Sequence, residues 1–311
     1  MPVTPVEKIW MNGKLVNWAD AKIHVLSHVV HYGSSWFEGI RCYETKKGPA
    51  IFRLDKHLER LYDSVRIYHA EIPYTKQQLE DAIIETIRAN KLRSCYIRPI
   101  AFYGFGQLGV SARGNPVETV LMCWPWGTYL GEEAMRSGVR AKISTWQRIP
   151  ANVIPHASKA TGVYLNSMLA VSEAQRAGYD EAIMLTPDGK VADGPGETIF
   201  VVSRGKLFTP DLSTGILHGI TRDSVITIAR ELGIEVVEKD LIRTDLYLAD
   251  EVFMCGTAAE VTPVRSVDDQ EIGVGDLTRE IQRVYLDVAH GRTDRFAAWR
   301  ELVPVSASPA A

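Results

Sequence analysis

Cysteine is scarce in this chain. Its 311 residues include four, Cys42, Cys95, Cys123 and Cys255, all far apart and none in a Cys-x-x-Cys pair. That spacing excludes a disulfide framework and leaves reduced, mostly buried thiols as the expectation. Long apolar runs are missing too: no window approaches the about 18 uncharged apolar residues of a membrane span. The opening MPVTPVEKIWMNGK has no basic start followed by an apolar stretch, so the cytoplasm is the expected compartment. Neither sign of charge dominates. Thirty-five basic against 38 acidic side chains leave a net charge of -3, which gives no field to draw nucleic acid or an anionic membrane. With no repeat and no low-complexity tract either, small molecules are the expected partners.

What the chain does have is length and patterned apolar residues. Its 311 residues exceed one ordinary core, so two packed α/β domains are expected. KIWMNGKLVNW carries an Asn12-Gly13 hairpin signal, and HLERLYDSVRIYHA and KQQLEDAIIETIRANKL repeat apolar residues at helical spacing. SCYIRPIAFYG and PVETVLMCWPW, rich in β-branched and aromatic residues, read as buried strands. These elements form a small N-terminal domain, residues 1–126. GTYLGEEAMRSG lacks a sustained apolar period and reads as a connection, with an interdomain loop over 127–135. A larger domain over 136–311 follows. It holds helices in NSMLAVSEAQRAGY, GITRDSVITIARELG and DLTREIQRVYLDVAH, hairpin turns at PDGK and SRGK, and a strand in DEVFMCGTA. The tail VPVSASPAA is expected to be loose at its end.

Two motifs fail on inspection. YGFGQLG places Gly104, Gly106 and Gly109 in the G-x-G-x-x-G pattern of dinucleotide loops. The helix that must follow is absent: Gly114 and Pro116 intervene and lead into another strand. A nucleotide-binding module built on Gly104–Gly109 is the competing function of a different class. His24, His28 and His31 would share one face of a helix, and three imidazoles can hold zinc. Val25, Val29 and Val30 instead favour strand or irregular structure, and no carboxylate or cysteine stands at ligand spacing, so no metal site is expected. The next stretch, YGSSWFEGIR, reads as a strand.

The constellation that survives centres on PHASKATGVYLN. A lysine is ordinarily a solvated surface charge, but Lys159 stands among Ala157, Ser158, Ala160 and Gly162. Those small neighbours suit a planar cofactor, and a Schiff-base lysine needs partial desolvation to lose its proton. Tyr164 can hydrogen-bond a ring oxygen. Asp193 and Glu197, in the glycine-rich VADGPGETIF, can hold a pyridine nitrogen protonated, although Asp-Gly is also plain turn chemistry. Gly219, Ile220 and Thr221 open a helix whose free amides favour a phosphate, and Thr257 and Ala258 follow Gly256 in a second turn with amides for an anion. Together these residues suggest pyridoxal phosphate.

HYGSSWFEGIR, CYIRP, SKATGVYLNS, DGPGETIFVV, LHGITRD and CGTAAEVTPV, in this order and spacing, closely resemble the branched-chain amino-acid aminotransferases of fold type IV. The resemblance spans nearly the whole chain. It implies a two-domain α/β (α+β) fold with the active site at the domain interface. It implies a pyridoxal 5'-phosphate enzyme that moves the amino group of L-leucine, L-isoleucine and L-valine to 2-oxoglutarate by a ping-pong mechanism. Lys159 is then the Schiff-base lysine and proton carrier, Tyr164 sits on the ring oxygen and Asp193 at the ring nitrogen. Arg60, Ile220, Thr221 and Thr257 hold the phosphate. The substrate α-carboxylate falls to Tyr96 and the Thr257 and Ala258 amides, and the distal carboxylate of glutamate to Arg98. Tyr32, Phe37, Gly39, Trp126 and Tyr129 line the pocket, and Leu108 and Val110 reach into a neighbouring subunit, which makes a homodimer the smallest active unit. Two positions depart from the family pattern: Asp193 stands where glutamate is usual, and Thr198 where asparagine is. D-amino-acid or (R)-amine transaminases and aminodeoxychorismate lyases share the fold, but YGSSWFEGIR, YIRP and GTAAE argue against them.

Overall fold

The computed structural model describes residues 3–127 and 131–304. It divides into two compact units, the first made of residues 1–126, 158–162 and 287–311, the second of 127–157 and 163–286.

The first unit is built on an antiparallel sheet. Its strands run in the order Arg300–Leu302, Gly48–Phe52, Ile40–Thr45, Cys95–Tyr103, Val117–Trp124, Lys8–Met11 and Lys14–Asn17, with Ser35–Phe37 also paired to Cys95–Tyr103. The Asn12-Gly13 turn joins Lys8–Met11 to Lys14–Asn17 with both residues at positive φ, 49° and 93°, as a tight two-residue hairpin requires. The helix Lys76–Ala89 buries Leu79, Ala82, Ile83, Thr86 and Ile87, a stripe at three- and four-residue spacing that lies on the strands Lys8–Met11 and Val117–Trp124. A capping box starts it: Gln78 N–H donates to Thr75 Oγ1 (3.2 Å) and Thr75 N–H to Gln78 Oε1 (2.8 Å). The helix Leu54–Ile67 buries Leu54, Leu58, Leu61 and Val65, but His57 and Ser64 share that face. A polar residue on a buried stripe needs a partner, and both have one.

The second unit carries a mixed sheet in the order Val191–Asp193, Glu181–Leu185, Val139–Ile143, Glu260–Val267, Glu251–Gly256, Thr198–Ser203, Lys206–Thr209 and Val236–Glu238. Val139–Ile143 runs parallel to both its neighbours, and the hairpin pairs are antiparallel. Val139, Ala141, Ile143, Ile183, Ile199, Val252 and Val264 form its core. The helix Tyr164–Arg176 lies on Glu181–Leu185, and Ile220–Glu231 on Glu251–Gly256.

Two local expectations are corrected. Residues 28–32 form a short helix, His28–Tyr32, ended by Gly33 in the left-handed region (φ 62°). The β-branched valines there are outweighed by contacts that the His28 side chain makes elsewhere in the chain. GTYLGEEAMRSG contains a helix, Glu132–Ser137, with Glu132 and Glu133 in its first turn and Arg136 in its last. Charge complements its dipole, but with no buried residue it leaves no apolar period to read. YGSSWFEGIR divides into two strands, Ser35–Phe37 and Ile40–Thr45. All four cysteines are free thiols and buried. Among the described residues, no helix is long and apolar enough to cross a membrane.

Candidate active site

Lys159 is held by its backbone. Its N–H donates to Ser64 Oγ (2.9 Å), its carbonyl accepts from Phe37 N–H (3.1 Å), Ser158 Oγ donates to the Ser64 carbonyl (3.0 Å), and Ala160 bridges to Trp36. The lysine is half-buried, and Nζ lies 5.1 Å from the centroid of the Phe37 ring. The same ring takes the Arg98 guanidinium at 4.5 Å, and Arg98 Nη2 donates to the Tyr96 hydroxyl (3.2 Å). Tyr96 in turn packs on Trp124 (5.2 Å) and Trp126 (4.8 Å). At Gly39 any Cβ would overlap the Tyr96 hydroxyl, so only glycine lets that phenol approach the backbone. The first unit therefore gathers an amine, a guanidinium and a phenol around aromatic faces.

Arg60, one turn before Ser64 on the helix Leu54–Ile67, gives Nε and Nη2 to the two oxygens of Glu38 (2.7 and 2.8 Å). His57 Nδ1 donates to the same carboxylate at 2.7 Å. Glu38 has no exposed surface, and Arg60 is 10% exposed. Burial alone pushes a carboxyl up. Here the Arg60 charge and the bonds from Arg60 and His57 outweigh it and hold Glu38 well below the usual carboxylate range. Burial pushes the His57 imidazole down, against the Glu38 bond. Sequence reading missed Glu38 and His57, yet a signal exists: His57, Arg60 and Ser64 recur at three- and four-residue spacing along a stripe that is otherwise apolar.

Tyr32, on the short helix, is 46% exposed, and Leu108 and Val110 are 49% and 91% exposed on the loop after Cys95–Tyr103. Tyr129 lies outside the described residues.

In the second unit Asp193 ends the strand Val191–Asp193 and is buried. Arg148 clasps it: Nε donates to Asp193 Oδ1 (2.7 Å), with Nη2 at 2.5 Å from the same oxygen. The rest of that guanidinium serves Ser167 Oγ (3.1 Å) and the Gly194 carbonyl (2.7 Å). Burial, and then the Arg148 charge, push His156 down to about 4, so that imidazole is neutral at pH 7 and adds no cation. Arg148 was also missed, because WQRIPANVIPH has no period to place it. Glu197 folds back on its own turn, accepting the Gly196 N–H (3.0 Å). Burial and the Glu197 charge push Glu181 well above the carboxylate range.

Three backbone turns meet around these acids. A Cβ at Gly256 would sit 3.3 Å from the Gly196 carbonyl, and one at Gly219 would sit 3.0 Å from Thr198 Oγ1. Ile220 and Thr221 begin the helix Ile220–Glu231, whose N-cap Gly219 supplies no side-chain cap. Thr257 and Ala258 form the turn between Glu251–Gly256 and Glu260–Val267. Tyr164 opens the helix Tyr164–Arg176. An uncapped helix start of this length accepts an anion. Among the described residues no cluster of histidine, cysteine and carboxylate side chains is arranged for a metal. His28 bonds Ser34 and Gly109, and His31 Nε2 bonds the Val25 carbonyl.

Comparison with known proteins fits this arrangement. The family described as Amino-transferase class IV matches residues 35–267. The branched-chain-amino-acid aminotransferase of Escherichia coli is 47% identical over 307 residues, 97% of this chain and 99% of that one. The crystal structure of an Escherichia coli branched-chain amino acid aminotransferase superposes with a TM-score of 0.94 at 47% identity, covering 96% of this chain and 100% of that one. The T.th. branched-chain amino acid aminotransferase solved with pyridoxamine 5'-phosphate gives 0.93 at 49% identity, covering 96% and 99%. The chain belongs to the class IV aminotransferases and, within them, to the branched-chain-amino-acid aminotransferases.

Proposed function

We propose that the protein moves the amino group of L-leucine, L-isoleucine and L-valine to 2-oxoglutarate, using pyridoxal 5'-phosphate, in two half-reactions of a ping-pong cycle. The observation that carries this reading is the Phe37 ring shared by Lys159 Nζ and the Arg98 guanidinium, at 5.1 and 4.5 Å. A branched aliphatic chain and a carboxylate must occupy one pocket in turn. An aromatic wall edged by one planar cation answers both demands.

The residues also fit the cofactor. The uncapped start at Gly219 suits a phosphate, and the buried Asp193, paired with Arg148, suits a protonated ring nitrogen. When bound, pyridoxal phosphate supplies an aldehyde for amine exchange and a ring that stores electron density. Lys159 Nζ is the covalent anchor and the proton carrier. Arg60, Ile220, Thr221 and Thr257 bind the phosphate, Tyr164 the ring oxygen. Tyr96 and the Thr257 and Ala258 amides orient the substrate α-carboxylate, and Arg98 takes a distal carboxylate. Tyr32, Phe37, Gly39 and Trp126 line the pocket around the side chain. Leu108 and Val110 act in a neighbouring copy, so the working unit is at least a homodimer. Four buried free thiols suit a reducing, cytoplasmic setting.

Single-turnover reactions of the cofactor-loaded enzyme with L- and D-amino acids test this. Leucine, isoleucine and valine are expected to bleach the visible cofactor band, with D-isomers inert and Lys159→Ala showing no band that borohydride removes. Faster reaction with D-alanine than with L-leucine would assign the chain to the D-amino-acid branch of the fold instead.

A further inference from the structure

The loop from Gly104 to Pro116 is too exposed at its tip to be held by a core. Leu108 and Val110 stand 49% and 91% exposed. It is nonetheless tied down at several points. Asn115, buried, accepts the Gln107 N–H at Oδ1 (2.7 Å) and donates from Nδ2 to the Gln107 carbonyl (2.9 Å). At the root, His28 N–H donates to the Gly104 carbonyl (3.1 Å), Ser27 bridges to Phe105, and the His24 and Phe105 rings lie 4.9 Å apart.

Beyond Gln107 the tie is His28. Its ring is 2% exposed and packs on Tyr32 (4.5 Å) and Tyr103 (5.9 Å). Nε2 lies 2.8 Å from the Gly109 carbonyl and Nδ1 lies 2.7 Å from Ser34 Oγ. A carbonyl only accepts, so Nε2 carries the hydrogen, and in the neutral ring Nδ1 accepts from the Ser34 hydroxyl. The Gly109 carbonyl thereby selects the Nε2–H tautomer, and the Ser34 hydroxyl supplies the donor that Nδ1 then requires. The bonded carbonyl belongs to the residue between Leu108 and Val110, so fixing it restrains the backbone from which both side chains project.

We propose that His28 is a positioning residue, a latch whose bond to Gly109 holds Leu108 and Val110 in a preformed arrangement and so shapes the apolar end of the substrate pocket. The latch is read from the structure, and its effect on substrate rests on the pocket role proposed above for these two residues. A buried hydrogen bond lost from an exposed loop raises local opening by roughly five- to tenfold.

Three variants of the cofactor-loaded enzyme test it. His28→Phe keeps the ring packing and removes both bonds. His28→Gln keeps a donor at about the Nε2 position, and Ser34→Ala removes the partner of Nδ1 at little change in volume. Amide hydrogen exchange over 104–111 is expected to quicken about five- to tenfold in His28→Phe, less in Ser34→Ala, and to recover in His28→Gln. KM for leucine should rise more than kcat falls, while the visible spectrum of the bound cofactor is retained. Unchanged exchange over 104–111 in both His28→Phe and Ser34→Ala would overturn the latch, as would a glutamine variant no better than phenylalanine. Faster exchange with an unchanged KM upholds the latch and removes Leu108 and Val110 from the substrate pocket.

Discussion

Glu38→Gln is the most informative single change, because it alters one charge and almost no volume in a fully buried site. The carboxylate accepts three hydrogen bonds, two from Arg60 and one from His57. Glutamine retains one acceptor oxygen. Its amide group turns donors toward a guanidinium that has only donors, or toward His57, which must then change tautomer to accept. Arg60, only 10% exposed, is left without its counter-charge. Removing one partner of a buried pair costs about 3–5 kcal/mol, and the retained bond puts this case near 3. At about 2–4 °C per kcal/mol for a body of this size, Tm falls by roughly 6–12 °C. The measurement is thermal unfolding at pH 8 with cofactor removed, so that lost ligand does not contribute. The folded carboxyl titrates below its unfolded value, so its stabilisation is present above the unfolded pKa of about 4.3 and is lost as pH falls beneath it. The deficit should therefore persist at pH 7 and shrink only below about pH 4. His57, also lowered by burial, makes wild-type and variant alike less stable as pH falls below about 6.5. A Tm at pH 8 within about 2 °C of wild-type, or additivity of Glu38→Gln with Arg60→Met, would refute the ion-pair reasoning.

Arg98→Ala should reduce kcat/KM for glutamate and 2-oxoglutarate by roughly 10- to 100-fold more than for leucine, since the proposed role of Arg98 is to take a distal carboxylate that leucine lacks. Equal losses in paired assays would remove Arg98 from that role. Asp193→Ala should slow both half-reactions severely and Asp193→Glu should keep substantial activity, whereas Glu197→Ala should do less damage, because its carboxylate already serves the Gly196 N–H in its own turn. Stopped-flow rates with leucine and with 2-oxoglutarate decide this, and greater damage from Glu197→Ala would transfer the ring-nitrogen role to that residue.

Periodicity made the larger elements legible. The helices Leu54–Ile67, Lys76–Ala89 and Ile220–Glu231 bury stripes at three- and four-residue spacing, and the hairpins turn at positive-φ Asn12-Gly13 and Arg204-Gly205. The misses are short. Glu132–Ser137 buries nothing, so its apolar pattern carries no signal, and His28–Tyr32 contradicts its valines because its shape follows from what the His28 ring bonds across 81 residues of chain. A local pattern cannot report a partner that distant. For the same reason the sequence around His28 carries no sign of the Gly109 bond.

The residues proposed to face the cofactor and substrate stand in quotable motifs, whereas the groups that hold them ready do not. Arg60 is proposed for a phosphate and Asp193 for a ring nitrogen, and each is already half of a buried ion pair within its own unit, with Glu38 and with Arg148. Desolvating a lone charge costs several kcal/mol, so a cation or anion stationed in a site before its ligand arrives requires a built-in counter-ion. That counter-ion also fixes geometry. Arg60 offers its fork along one direction because Nε and Nη2 are bound to Glu38, and Asp193 holds one orientation because Arg148 clasps Oδ1. A field arranged in this way needs no reorganisation when ligand charge appears. It also bears on the aspartate at this position: Arg148 sets the aim of the Asp193 carboxylate, and the short side chain is braced against it. Motifs in the sequence show the charges proposed for ligand; only burial reveals which others they require.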